Sequence, residues 1–250
     1  MVLARALVAL SAAASMVGCG DPESNRAALP DAPVSAAADR AAEPADRGSA
    51  AEAPPAEEQG QGAVLFVGTS LTAGLGLPVE ESFPLRIERR IEEAGLPFRV
   101  VNAGISGETS AGALSRVGWL LRQPFAAVVL ESGANDMLRG IDPAATERNI
   151  QAIIDRIREH DPDVPIVLAG MLAVPNLGPA YARDFEAIYP RLAARNELPL
   201  IPFLLDGVGG ERALNQSDGV HPTAEGHQII ADTVWRVLEP TLEGLADARK

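Results

Sequence analysis

Four short polar clusters recur along the chain, each just after an apolar run: Gly68-Thr69-Ser70-Leu71, Asn102-Ala103-Gly104-Ile105-Ser106-Gly107, Gly133-Ala134-Asn135-Asp136 and Asp218-Gly219-Val220-His221-Pro222. A serine such as Ser70 is a poor nucleophile unless a base accepts its proton. Of three histidines, His160 closes one helix-patterned run and His227 falls inside another, which leaves His221, in a Gly-Val-His-Pro turn, as the candidate base. Asp218 is close enough for a local fold-back that would fix the imidazole tautomer and stabilise the imidazolium. A tetrahedral intermediate would also need donors aimed at its developing charge. The backbone N–H groups of Ser70 and Gly107 and the side-chain amide of Asn135 are the candidates. Taken singly, each cluster also fits an ordinary role: Ser70 as a helix cap, Gly107 and Asn135 as turn residues, Asp218 and His221 as loop residues. The ordered set is what hydrolysis of an acyl ester requires.

Something must bring residues so far apart in sequence to one place. Continuous apolar runs predict strands over residues 63–67, 99–101, 126–130, 165–169 and 199–201. Between and after them, amphipathic patterns predict helices over 83–94, 110–121, 143–158, about 180–195 and about 223–238. Runs without alternation suit strands covered on both faces. Strands alternating with helices imply an α/β fold, a parallel five-stranded sheet between two helical layers with right-handed crossovers. Every cluster follows a strand and so falls at the carboxyl edge of the sheet, where open α/β folds place their ligands. The segment 171–183, after the fourth strand, carries Leu172, Val174, Leu177 and Tyr181, which are either the lining of an acyl site or core.

Competing motifs fail on inspection. Thr72 stands where Gly-x-Ser-x-Gly needs its last glycine, Leu75 where a phosphate loop needs lysine, and Val79 where a dinucleotide loop needs its third glycine. No two histidines have zinc-ligand spacing, and no metal or cofactor is expected.

The first quarter of the chain reads differently. Arg5 is followed by uncharged residues 6–17, too few to cross a bilayer as a helix, which takes about 20. Residues 1–19 therefore read as an export leader. It ends at Met16-Val17-Gly18-Cys19, which resembles a bacterial lipobox and implies lipidation of Cys19, the only cysteine in the chain. The alternative is an ordinary export signal with an incidental cysteine. Residues 20–62, rich in Ala, Pro and acidic residues, are expected to be a disordered tether. The folded domain is expected over 63–245. On this reading the protein is exported and membrane-anchored, facing the periplasm or cell surface, and monomeric. Of the formal charge of −13, residues 21–62 carry −6 and the leader +1, leaving −8 on residues 63–250, which argues against nucleic acid as a partner.

The clusters resemble the four blocks of the GDSL or SGNH hydrolases, with Ser70, Gly107, Asn135 and His221 in the name-giving positions and Asp218 completing the triad. The runs Val101-Asn102-Ala103-Gly104-Ile105-Ser106-Gly107-Glu108-Thr109-Ser110 and Asn135-Asp136-Met137-Leu138-Arg139-Gly140 are similar to the bacterial thioesterase, protease and lysophospholipase subgroup. So are Ile188-Tyr189-Pro190 and Pro202-Phe203, and the resemblance spans residues 63–240. It implies a flavodoxin-like three-layer α/β/α sandwich and cofactor-free hydrolysis through an acyl-enzyme on Ser70. Small-molecule or lipid esters are the implied substrates: aryl esters, lysophospholipids and thioesters. Two alternatives stay open, a carbohydrate O-deacetylase of the same fold and a non-catalytic ligand-binding lipoprotein. One departure is plain: the usual Gly-Asp-Ser-Leu reads Gly68-Thr69-Ser70-Leu71 here.

Overall fold

The computed structural model describes residues 62–249. The leader expected over residues 1–19, Cys19 with it, and all but the last residue of the tether expected over 20–62 lie outside the described residues. Five strands, β1 (Gly62–Gly68), β2 (Phe98–Gly104), β3 (Ala127–Glu131), β4 (Ile166–Ala169) and β5 (Leu200–Ile201), form one sheet in the order β2-β1-β3-β4-β5. All four pairings are parallel. The strand order reverses direction between β1 and β3, and that switch point opens a crevice at the carboxyl edge.

The helices are α1 (Ser70–Ala73), α2 (Phe83–Glu93), α3 (Ser110–Leu120), α4 (Ala134–Leu138), α5 (Pro143–His160), α6 (Pro179–Glu186), α7 (Ile188–Asn196) and α8 (Ala224–Asp247). Helix α2 packs on α8, while α3 packs on α5, which also meets α6 and α7. Right-handed crossovers put these two groups on opposite faces of the sheet. The core follows from the apolar runs. Val64, Leu65, Phe66 and Val67 are buried, as are Val128, Val129 and Ile166 through Ala169. Ile87 and Ile91 supply one buried stripe on α2, and Ile150, Ile153, Ile154 and Ile157 supply another on α5.

Two helices differ from expectation, each for a reason that involves proline. The helix expected over about 180–195 is two, α6 and α7, meeting at Ala187. Pro190 lacks an N–H and its ring crowds the carbonyl four residues back, at Glu186, where α6 ends. Helix α8 instead runs on through Pro240 to Asp247, beyond the expected stop near residue 238. Leu242 in this extension is fully buried, so packing outweighs the local cost of the proline.

His227, in the first turns of α8, joins the two helices of its layer. Its Nδ1 accepts a hydrogen bond from the Phe83 N–H at 3.1 Å, and its ring stacks on that of Phe83. Burial, with the Arg86 and His221 charges adding to it, pushes the imidazole down to about 4. A histidine whose folded value lies below its unfolded value stabilises the fold fully above the unfolded value of about 6.5, and that stability is lost as pH falls toward the folded one. Denaturant stability should therefore fall by up to about 3 kcal/mol between pH 6.5 and 4 from this group alone. His227→Gln keeps an acceptor for Phe83 and should flatten that part of the curve. Identical pH dependence in the two proteins would contradict the assignment.

Candidate active site

Strand β1 delivers the chain to a tight turn at Gly68, where a Cβ would overlap Thr72 Oγ1 and the Glu131 carboxylate. Thr69 is the N-cap of α1 and Ser70 its first residue, 8% exposed. The Ser70 N–H, as the first of a helix, has no intrahelical acceptor. On the other side of the cleft, the loop after β5 is braced as a turn. Gln216 N–H donates to the His221 carbonyl at 2.7 Å, and Gly219, at φ +71°, donates to the Gln216 carbonyl. The Gln216 side chain donates to the Leu75 and Pro222 carbonyls, tying the histidine loop to the segment that follows α1.

That brace sets up a relay. Ser70 Oγ lies 2.9 Å from His221 Nε2, and His221 Nδ1 lies 2.6 Å from Asp218 Oδ2. The other Asp218 oxygen accepts the N–H groups of Val220 and His221 at 2.9 and 3.0 Å. The bond to the His221 ring, followed by those two N–H groups, holds the Asp218 carboxyl far below the usual carboxylate range. The aspartate is therefore a committed anion and a pure acceptor, so Nδ1 carries the proton and Nε2 is left to accept one from Ser70.

Gly107, at φ +78°, needs the left-handed backbone that glycine accepts readily. Its N–H donates to no group among the described residues, while its carbonyl accepts from Arg139 at 2.8 Å. Asn135 Nδ2 donates one N–H to the Glu108 carbonyl at 3.0 Å, which turns the amide toward the same loop and leaves its second N–H. Glu108 pairs in two-pronged fashion with Arg116, which also holds the Ala103 carbonyl. Asp136, buried beside Asn135, accepts from the Ser110 N–H and hydroxyl and so moors the start of α3.

These groups face a cleft of about 660 Å³ lined by Ser70, Gly107, Asn135 and His221 together with apolar side chains, among them Leu75, Met137, Leu172, Val174, Phe203 and Leu205. Of the four residues weighed for an acyl site, Leu172 and Val174 are in this lining. Leu177 and Tyr181 stand outside it, packed against the core, with Tyr181 donating its hydroxyl to the Ile141 carbonyl at 2.8 Å. Among the described residues no group of three or more His, Cys, Asp or Glu is disposed to hold a metal ion.

Sequence reasoning marked Thr69 only as a departure from the family pattern and missed its partner Glu131. Thr69, with Asp as the family pattern, donates its hydroxyl to Glu131, whose carboxylate is wholly buried. A second carboxylate at position 69 would have to share a proton with Glu131, whereas threonine supplies a donor directly. The available signal was Glu131 itself, an acid closing an otherwise apolar strand, which demands partners when buried. Asn102 acts likewise, donating to the Thr72 carbonyl at 2.9 Å.

A serine–histidine–aspartate relay at the switch point of an open parallel sheet, beside unspent amide donors, has the form of a serine hydrolase of the three-layer α/β/α class. The chain belongs to the GDSL-like lipase/acylhydrolase family, whose model matches residues 66–229. It is 39% identical to Esterase TesA of Pseudomonas aeruginosa over 72% of this chain and 89% of that protein. It is 34% identical to the Escherichia coli protein named thioesterase 1/protease 1/lysophospholipase L1, over 71% of this chain and 83% of that one. A crystal structure of TesA superimposes with a TM-score of 0.69 at 38% identity, covering 72% of this chain and 99% of that chain. The protein is accordingly an enzyme that hydrolyses acyl esters.

Asp218→Asn tests the relay. The Val220 and His221 N–H groups will keep the amide oxygen, which forces the new NH₂ against Nδ1 and the imidazole into the wrong tautomer. The expected result is a loss in kcat on the order of 10²- to 10⁴-fold with an unchanged fold by circular dichroism. A kcat within threefold of the parent would contradict it.

Proposed function

We propose that Ser70 is the acyl-accepting nucleophile, His221 the base, Asp218 its orienting anion, and Ser70, Gly107 and Asn135 the oxyanion donors. The observation that carries this reading is the 2.9 and 2.6 Å relay from Ser70 through His221 to Asp218. As the Oγ–carbon bond forms, the hydroxyl proton passes to Nε2 and the carbonyl electrons move onto oxygen, which faces the three donors. Collapse of that intermediate breaks the bond to the alcohol or thiol, which takes the proton from Nε2. Water then repeats the sequence on the acyl-enzyme: it gives its proton to Nε2, attacks, and releases the acid and free Ser70.

The relative named for thioesterase and lysophospholipase activities supports aryl esters, thioesters and lysophospholipids as substrates. The apolar lining supports an acyl chain in the cleft and does not favour a carbohydrate deacetylase, whose sugar would ask for polar partners. The composition and order of segments support a leader over 1–19, a tether over 20–62 and a catalytic domain over 63–245, which we take to be monomeric. With a lipid on Cys19, the domain would face the periplasm or cell surface.

For p-nitrophenyl esters, kcat/KM should rise from acetate to at least hexanoate, because each buried methylene contributes up to about 0.8 kcal/mol, and Ser70→Ala should be inactive throughout. A maximum at acetate would favour the deacetylase, and residual turnover in Ser70→Ala would refute the nucleophile. For the anchor, cells expressing the full chain should incorporate labelled palmitate into it, and Cys19→Ala should abolish the label. Equal labelling of the two would exclude Cys19 as the lipidated residue.

A further inference from the structure

Helix α1 has four residues, too few to hold itself together, since even the first helical turn is unfavourable without outside support. Yet Ser70 must present both its Oγ and its N–H at fixed positions. The support comes from beneath. Glu131, the last residue of β3 and 1% exposed, accepts the Thr69 N–H at 2.6 Å and the Thr72 hydroxyl at 3.0 Å on one oxygen. The Thr69 hydroxyl lies 2.9 and 3.0 Å from its two oxygens. One carboxylate thus grips the residue before the serine and the residue two after it.

We infer that Glu131 is a positioning residue for the oxyanion site, clamping Thr69 and Thr72 so that the Ser70 N–H and Oγ hold their aim. The inference rests on the reading of Ser70 as nucleophile. Glu131 also begins the turn that leads through Ser132 and Gly133 to Asn135, so it links two of the three oxyanion donors through one rigid strand end. A buried carboxylate without partners would be costly, and the three donors are what offset that cost. Burial pushes the Glu131 carboxyl up, while the Thr69 N–H and the two hydroxyls pull it down. Gly68 belongs to the same device, because any Cβ there would occupy the carboxylate's place. Thr69 supplies this buried carboxyl group with both an N–H and a hydroxyl.

The test is turnover per active site, with sites counted by saturating labelling with a p-nitrophenyl alkylphosphonate. Glu131→Gln has the same shape but a single acceptor oxygen, and its NH₂ faces donors. It should lower kcat per labelled site by about 10²-fold, the cost of a misaimed oxyanion donor, with KM changed less than threefold. Thr69→Val should lose about tenfold in kcat, and Thr69→Ser, which restores the hydroxyl, should recover to within twofold. If Glu131→Gln does not fold, the Thr69 pair decides. A purely structural role would reduce melting temperature and the labelled fraction while leaving kcat per labelled site unchanged, and that result, or equal kcat for Thr69→Val and Thr69→Ser, overturns the inference. Failure of the parent to label at Ser70 would instead sink the nucleophile assignment on which it rests.

Discussion

Ser70 stands on a turn too short to sustain itself, so its place is set by groups from other parts of the chain, and much of the polar structure around this cleft answers that constraint. The Glu131 carboxylate holds Thr69 and Thr72, Asn102 holds the Thr72 carbonyl, and Gln216 joins the segment after α1 to the histidine loop. Glu131 and Asn102 stand on β3 and β2, so the serine's turn is tied to the sheet, while Gln216 ties it to the loop that carries His221. The close approach of β2 to α1 has the same consequence: a Cβ at Gly104 would strike the backbone of Ala73. The placement of Ser70 is thereby tied to the parallel sheet, whose strands β1, β3 and β4 are buried almost throughout.

Three carboxylates around the cleft do different work because their surroundings differ. Asp218 is exposed and bonded to His221 and to two backbone N–H groups, and it stays ionised. Glu131 is buried among two hydroxyls and one N–H, all of which approach its carboxyl oxygens. Asp136 is buried as well, and by accepting from Ser110 it fixes α3 only three residues beyond Gly107. On the proposed mechanism the first arrangement serves proton transfer at the mouth of the cleft, and the other two serve preorganisation, since donors that shift during the reaction stabilise little.

The sheet was legible because the runs 63–67, 126–130 and 165–169 are apolar without alternation, and burial on both faces is what produces that pattern. The carboxyl-edge location of the clusters follows from the alternation of strands and helices, whereas the flavodoxin-like arrangement came only from the family resemblance. The break at Ala187 was readable in principle from Pro190, but Pro240 leaves α8 intact, and the leucine two residues beyond each proline, Leu192 and Leu242, is fully buried in both cases. No local signature says which proline ends its helix. The same holds for Glu131 and Gln216, whose partners are far away in sequence, and for Leu177 and Tyr181, which are apolar or aromatic like their neighbours Leu172 and Val174 but stand outside the cleft lining. Residues that touch their partners within a few positions, such as Asp218 and His221, could be paired by sequence alone.

The most direct test of the account is to trap the covalent intermediate. Rapid acid quenching of the enzyme during turnover of p-nitrophenyl butyrate, followed by peptide mass spectrometry, should find the butyryl mass on the peptide that contains Ser70, in an amount matching the burst of p-nitrophenol. Turnover with the butyryl group on another residue, or with no acylated peptide beneath a clear burst, would contradict the claim that this chain hydrolyses esters through Ser70.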